Sequence, residues 1–193
     1  CESVARTLES VFVTDRVGGG IGIIEIGRDK ELNVDLSLRS LLIASEKAIN
    51  VFDRDFKYCF YDEELEAQMN READIRHELS RIAQDASCRH LYLQFQPILD
   101  LKSGLTCSFE ALARLKTEKL GLVSPIEFIR LAEETGSIHA LGQWVLDRAC
   151  RDARTMSERL GRPMAVAVNI SMRQLCDPGF ADLIDDTLAR YQL

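Results

Sequence analysis

Apolar and polar positions along the chain switch between the two-residue period of β-strands and the longer period of amphipathic helices. Strand-like segments occur at residues 21–26, 56–61, 90–100, 107–115 and 164–170. Helical spacing of apolar residues occurs at 4–12, 36–50, 62–86, 125–134, 138–160 and 180–191. Strands that alternate with helices predict an α/β protein in which helices cover a largely parallel sheet.

Capping residues mark the boundaries of two of these helices. Asp62 stands where an N-cap is expected for the charge-rich helix that follows it. Ser124 stands at the N-cap of the next helix, with Pro125 at the first helical position and Glu127 at the capping-box position. Gly136 lies just past the expected end of that helix, where glycine commonly terminates helices.

Composition narrows the class of protein. Of 193 residues, 46% are hydrophobic and 28% are charged, which is typical of a folded globular chain. The formal net charge of −7 argues against broad attraction to a nucleic-acid polymer or an anionic membrane, although it leaves room for a local basic pocket. We find no membrane-spanning segment and no signal-peptide pattern. The six cysteines have no metal-ligand spacing and are expected to be free thiols of an intracellular protein.

The strand at 107–115 carries the most evident chemistry, because Glu110 and Arg114 stand between apolar residues. Side chains alternate across a strand, so Glu110 and Arg114 are expected on one face. An ionised carboxylate there needs compensation. A hard divalent metal would supply it, with the amide oxygen of Asn169 as a second ligand from a neighbouring strand. Two plainer interpretations stay open: Glu110 and Arg114 form an ion pair, and Asn169 hydrogen-bonds to a backbone loop.

The residues around this strand form a series of short blocks. In chain order they are Gln96-Pro97-Ile98, Glu110-Ala111-Leu112-Ala113-Arg114, Gly121-Leu122-Val123-Ser124-Pro125, Glu127-Phe128-Ile129, Leu131-Ala132-Glu133-Glu134-Thr135-Gly136, Leu141-Gly142-Gln143-Trp144-Val145-Leu146, Val168-Asn169-Ile170-Ser171 and Gln174-Leu175. The series resembles the EAL domain family, the phosphodiesterases of the bacterial second messenger cyclic di-GMP. Because the blocks keep the family's order over residues 91–193, chance is a poor explanation for the resemblance.

This resemblance implies a fold and a set of residue roles. The fold is the N-terminal part of a modified (β/α)8 TIM-like barrel, with the active site at the C-terminal ends of the strands. Glu110 and Asn169 match two of the family's metal ligands, which bind Mg²⁺ or Mn²⁺. Arg114 matches the arginine that grips a substrate phosphate, and Gln96 matches a glutamine near the bound nucleotide. In the family, two metals activate a water that opens cyclic di-GMP to linear pGpG.

The catalytic set implied by the resemblance is incomplete in this chain. The family's further Glu, its Asp-Asp pair, its Lys and another Glu would lie beyond Leu193. If the 193 residues were the whole polypeptide, we would expect no significant hydrolysis; as a fragment, they are compatible with an active parent. A second hypothesis is a catalytically inactive cyclic di-GMP receptor, favoured by Leu115 in place of the usual Trp and by Thr117-Glu118 in place of His-Pro. A third, a purely structural or partner-binding module, fits poorly with the retained site residues.

Two N-terminal segments suggest a different module. Gly20-Ile21-Gly22-Ile23 and Ser45-Glu46-Lys47-Ala48 stand where a strand and a helix of the GGDEF family, the diguanylate cyclases, carry similar residues. The region thus resembles the C-terminal half of this α+β domain, which commonly precedes EAL. It departs from the family at 51–55, which lacks the usual Lys and Gly-x-Asn turn, and the catalytic segment would lie before Cys1. We interpret it as a partial, degenerate domain with a regulatory role.

The expected organisation has three parts: a GGDEF-like domain at 1–61, a connecting helix at 62–88 and a truncated EAL domain at 89–193. The connecting helix is either a solvated linker or a signalling helix. In the second case an apolar stripe packs on another chain; its members are Leu65, Met69, Ile75, Leu79 and Ile82. The expected partners are cyclic di-GMP and, as an open alternative, a second copy bound through the EAL domain or this helix. The expected location is the cytoplasm, and an upstream membrane-anchored sensor in the parent stays open.

Overall fold

A computed structural model describes the chain at residues 3, 7, 20–26, 33–49, 57–84 and 89–193, with no account of the side chains of residues 83 and 84. The helix predicted at 4–12 lies outside the described residues apart from residue 7. The chain folds into two compact units, Cys1–Arg71 and Glu72–Leu193.

The first unit contains two parallel strands and an intervening helix, namely β1 (Gly20–Ile23), α1 (Val34–Ala48) and β2 (Lys57–Phe60). α1 begins at Val34 rather than at the predicted residue 36, because the side-chain Oδ1 of Asn33 caps the helix and accepts a hydrogen bond from the Leu36 backbone N–H at 3.1 Å. α1 lies so close to β1 that a Cβ on Gly22 would stand 2.2 Å from the backbone oxygen of Leu41. Only glycine allows this approach of helix to strand.

Helix α2 (Glu63–Gln84) starts at the predicted cap. The Asp62 carboxylate accepts a hydrogen bond from the Leu65 backbone N–H at 2.7 Å, which satisfies one of the unpaired donors of the first turn. The division between the two compact units falls inside α2, between Arg71 and Glu72. The second half of this helix is therefore part of the same unit as the strands and helices that follow it.

The apolar stripe of α2 is covered by its own chain in this second half. Ile75, Leu79 and Ile82 are 0%, 1% and 5% exposed and belong to the hydrophobic core of the second unit. The alternative in which the stripe packs on another chain is wrong for these three residues, because their side chains are already buried.

The second unit is built on a sheet of four strands, β3 (Leu91–Leu99), β4 (Thr106–Thr117), β5 (Gly121–Val123) and β6 (Ala165–Val168). β4 pairs antiparallel with β3 and β5, and parallel with β6. The prediction of a largely parallel sheet is wrong for these strands. Short turns join β3 to β4 and β4 to β5, and such turns connect only antiparallel neighbours, whereas β6 returns after two helices. Among the described strands the sheet is open and forms no closed barrel.

Four helices accompany this sheet: α3 (Pro125–Thr135), α4 (Ile138–Leu160), the single turn α5 (Met172–Leu175) and α6 (Phe180–Tyr191). α3 and α4 pack on the sheet, and α5 and α6 pack against α4. α4 has the predicted bounds. The largest fully buried side chains of the core between sheet and helices are those of Leu115 and Val123 from the sheet, Phe128 and Leu131 from α3, and Ile75 and Leu79 from α2. The sheet, α3 and the second half of α2 therefore close this part of the core together.

Predictions at the ends of α3 have mixed outcomes. Gly136 ends the helix with a φ of 77°, as predicted for a left-handed cap. The predicted capping box is not formed by the hydroxyl of Ser124, which makes no capping hydrogen bond. Its backbone oxygen instead accepts from the Glu127 N–H at 3.0 Å, which closes the first turn of the helix that begins at Pro125. β5 and α5 were not predicted, because each is too short to show a periodic pattern.

Four charged side chains fasten α2 to α3 within the second unit. The Glu72 carboxylate is only 6% exposed and accepts from Arg130 at 2.8 Å and from Arg76 at 3.3 Å. Both arginines also contact Glu134, the first at 2.5 Å and the second at 3.3 Å. Each carboxylate therefore faces two guanidinium groups, which compensates the burial of Glu72.

Burial also distinguishes the cysteines. Cys59, Cys107, Cys150 and Cys176 are free thiols, as expected. Burial raises the pKa of the Cys150 thiol, and the nearby carboxylate of Asp147 raises it further. No helix in the described part of the chain has the length and apolar character needed to cross a membrane.

Phe128→Ala is expected to lower the free energy of unfolding by about 3–5 kcal/mol, because it removes a ring from the centre of the core. Urea denaturation followed by circular dichroism measures the loss. Ile126→Ala on the same helix is the matched control, since Ile126 is 84% exposed and its truncation is expected to change stability by about 0.5 kcal/mol or less. Equal losses in the two variants would contradict the packing of α3.

Candidate active site on the open face of the sheet

The two faces of β4 have different surroundings. Ala111 and Leu115 point to the helix-covered face and are 3% and 0% exposed. Glu110 and Arg114 occupy the alternate positions and therefore lie together on the opposite face, as the sequence predicted. Both are partly buried. The strand thus supplies core side chains on one face and a carboxylate and a guanidinium on the other.

Asn169 reaches the same face through the parallel pairing of β4 and β6. Glu110 lies beside Ala167 in this pairing, and Asn169 is the next residue of β6's alternation on that face, just past the end of the strand. Its side-chain Nδ2 donates a hydrogen bond to Glu110 Oε1 at 2.7 Å. The structure therefore brings together the two residues predicted to share a metal. The plainer interpretation that Asn169 bonds to a backbone loop is not what this side chain does.

Arg114 is held by a residue that sequence reasoning missed. Its Nε donates to Gln94 Oε1 at 2.9 Å, and its Nη1 donates to the Ala113 backbone oxygen at 3.3 Å. Among the described side chains, Arg114 and Glu110 form no ion pair, so that plainer interpretation is wrong. A signal for Gln94 was present, because it stands two residues before Gln96 and so shares its face of β3.

Gln96 lies directly opposite Glu110 in the antiparallel pairing of β3 and β4. Its side chain is exposed on the same face as Glu110 and Arg114. All four residues singled out from the sequence thus lie on one face of three adjacent strands, although only Glu110 and Asn169 are joined by a direct hydrogen bond.

The donor chemistry of this face fits a hard divalent cation in part. Glu110 offers carboxylate oxygens, and Asn169 offers an amide oxygen once its carboxamide turns its other end toward the ion. Such oxygens suit Mg²⁺ or Mn²⁺, which take about six ligands. In the described ranges, no group of three or more His, Cys, Asp and Glu side chains is placed to hold a metal. Glu110 and Asn169 would therefore supply only part of the ligand set of such an ion.

The comparison with protein families decides where the chain belongs. The model of the EAL domain matches residues 79–193. The chain belongs to the EAL domain family. The matched range contains all four residues of the open face together with Gln94, and it begins within α2.

Proteins similar to this chain include two cyclic di-GMP enzymes of Pseudomonas aeruginosa. The chain is 33% identical over 136 residues to the bifunctional diguanylate cyclase/cyclic di-GMP phosphodiesterase MucR of Pseudomonas aeruginosa, covering 70% of this chain and 19% of that protein. It is 37% identical over 127 residues to the cyclic di-GMP phosphodiesterase NbdA of the same organism, covering 66% of this chain and 16% of that protein. The chain thus spans less than a fifth of the length of these relatives.

A solved EAL structure resembles the fold of about two thirds of this chain. A structure of the PaMucR phosphodiesterase in complex with c-di-GMP matches with a TM-score of 0.56 and 35% identity, covering 64% of this chain and 47% of that one. The chain therefore corresponds to about half of that EAL structure.

Proposed function

We propose that the protein carrying this chain is a metal-dependent phosphodiesterase that hydrolyses cyclic di-GMP to linear pGpG. One observation carries the proposal: Glu110 and Asn169, from separate strands, meet at 2.7 Å on the face that also carries Arg114. Similarity to EAL proteins named as cyclic di-GMP phosphodiesterases supports the choice of substrate. We place the reaction in the cytoplasm, where the second messenger acts.

In this proposal each residue has a defined task. Glu110 and Asn169 hold a Mg²⁺ or Mn²⁺ ion through oxygen atoms. When bound, such an ion would act as a Lewis acid, which would activate water and neutralise charge on the leaving oxygen. Arg114 presents its guanidinium to a substrate phosphate, for which a planar fork is better suited than a lysine ammonium. Gln96, opposite Glu110, is placed to contact the nucleotide beside that phosphate.

Two of the residues that depart from the family pattern, Leu115 and Thr117, lie away from this face. Leu115 is fully buried in the core and Thr117 is 6% exposed, both on the helix-covered side of β4. Replacement of a Trp by Leu at that position changes packing rather than the set of polar groups on the open face. These two departures therefore give little support to the inactive-receptor alternative. Measurements of cyclic di-GMP binding and of pGpG formation distinguish a receptor from an enzyme.

We also propose that the open sheet is the first part of the modified (β/α)8 barrel of EAL domains, in which further strands supply the remaining ligands. The parallel pair β4 and β6, separated by two helices, is consistent with such a barrel. The β-α-β arrangement of the first unit is likewise consistent with a degenerate GGDEF-like module. Its role in this proposal is regulatory.

The direct test uses the full-length protein with cyclic di-GMP and Mg²⁺ or Mn²⁺. Calorimetry is expected to detect binding of cyclic di-GMP, and chromatography is expected to detect pGpG as the product. Treatment of the protein with EDTA is expected to prevent pGpG formation. Binding without pGpG under both metals would favour the receptor, and absence of binding would refute both functions. Glu110→Gln removes the charge but keeps the shape, and it is expected to abolish pGpG formation.

Arg114→Ala is expected to weaken cyclic di-GMP binding by about 1.5–3 kcal/mol, the contribution of a hydrogen bond to a charged group. Arg114→Lys keeps the charge without the fork, and we expect it to restore only part of the affinity. Calorimetry on the two variants gives both values. An unchanged affinity in Arg114→Ala would remove this residue from the site.

Gln94→Ala is expected to weaken cyclic di-GMP binding by about 0.5–1.5 kcal/mol, because Arg114 loses the acceptor that orients it. In an Arg114→Ala background the same change is expected to have no further effect, since the two residues act as a pair. Gln143→Ala on the exposed surface of α4 is the control and should leave the affinity unchanged. Additive losses would show that Gln94 acts independently of Arg114.

A further inference from the structure

The segment that follows β6 contacts α4 at one glycine. A Cβ built on Gly142 would lie 1.8 Å from the Gln174 Nε2 and 2.6 Å from its Cδ. No heavy atom can approach another so closely, so the end of the Gln174 side chain occupies space that any residue other than glycine would fill. Gly142 thus leaves a notch in the surface of α4, and the Gln174 carboxamide lies in it.

Gln174 cannot leave the notch without losing other interactions. It is 5% exposed, and its Oε1 accepts a hydrogen bond from the Ser171 backbone N–H at 3.2 Å. In return, the Gln174 backbone N–H donates to the Ser171 hydroxyl at 3.3 Å, which completes a capping box around α5. A side chain at position 142 would displace the Gln174 carboxamide and break this box.

A second tie holds the same segment to α4. His139 Nδ1 lies 3.3 Å from Asp177 Oδ2, and the Asp177 backbone N–H donates to the Gln174 carbonyl oxygen at 3.0 Å. His139 and Gly142 are one turn apart on α4. The segment 171–177 is therefore attached to the start of α4 at two points, and Asn169 lies just before it, where β6 has ended.

We propose that Gly142 and Gln174 are positioning residues that hold Asn169 against Glu110. β6 fixes the backbone before Asn169, and the capping box at Ser171 fixes the backbone after it. The notch supplies the fixed point for that box, so it controls where the Asn169 carboxamide sits. This inference rests on the proposed function, since it assigns the notch to the residue that would hold the metal.

The test is Mn²⁺ affinity of the full-length protein, measured by calorimetry without substrate. Gly142→Ala is expected to weaken Mn²⁺ binding about 10-fold or more, in the range found when groups that orient metal ligands are removed. Gln174→Ala is expected to cause a similar loss. The double variant with Gly142→Ala and Gln174→Ala is expected to weaken Mn²⁺ binding no more than Gln174→Ala alone, because the carboxamide that the new Cβ would displace is absent in both.

Two further variants separate positioning from general stability. Gln174→Glu keeps an acceptor oxygen for the Ser171 N–H and is expected to retain Mn²⁺ affinity within about 3-fold, since glutamate also forms capping boxes. Gly179→Ala adds a Cβ in the same region that would meet only the Asp177 carboxylate, at 3.6 Å, which is ordinary contact. It is expected to leave Mn²⁺ affinity unchanged.

Failure of this inference is distinct from failure of the proposed function. If the wild-type protein binds neither Mn²⁺ nor cyclic di-GMP, the proposed function fails. If the wild type binds Mn²⁺ and both Gly142→Ala and Gln174→Ala keep its affinity while melting at lower temperature, the notch is only structural and the inference is overturned. Should Gly142→Ala fail to fold, a comparison of Gln174→Ala with Gln174→Glu decides the same question.

Discussion

The alternation of side chains along β4 is the constraint on which both the core and the candidate site depend. A slip of one residue in its pairing would turn Leu115 out of the core and Glu110 into it, at the cost of exposing an apolar side chain and burying a charge. β3 pairs along one edge of β4, while β5 and β6 pair along the other. With both edges paired, the strand has no freedom to slip, and the polar face is fixed as firmly as the apolar one.

The polar face is organised by partners that come from different strands. Glu110 is joined to Asn169 beyond β6, and Arg114 is joined to Gln94 on β3. Glu110 and Arg114 are thus each oriented by a side-chain amide, one from β3 and one from the residue just beyond β6. This arrangement reduces the rotamer freedom that would otherwise be lost when a ligand binds. Neutral amides can orient charged groups in this way without cancelling the charge that a metal or a phosphate would meet.

Much of this arrangement could be predicted from sequence, because it depends on local periodicity. The shared face of Glu110 and Arg114 follows from strand alternation, and the bounds of α4 follow from its long amphipathic pattern. The Asp62 cap follows from the chemistry of the residue. The placement of Asn169 beside Glu110 was predicted from metal-ligand chemistry and from the family resemblance, and the parallel register of β4 and β6 gives it a physical cause.

Other features could not be predicted, because they depend on contacts between distant residues. The prediction of a largely parallel sheet was wrong, because the periodic pattern does not say which strands are neighbours. Gln94 was missed because its partner is set by the register of β3 and β4. The role of Gly142 could not be predicted, because nothing in α4's own sequence shows that Gln174 approaches it. Ser171 and Gln174 do carry the spacing of a capping box, but a single helical turn gives no apolar period to draw attention to it.

The burial of Ile75, Leu79 and Ile82 also bears on how genes for such proteins can recombine. These three side chains complete a core whose other members come from β3 to α4, and the Glu72 carboxylate fastens the same helix to α3. A crossover that joined a new sensor at the end of α2 would strip the domain of part of its interior. A crossover upstream of Glu72 would carry the needed half-helix along, so a fusion partner joined there would leave the core of the second unit complete.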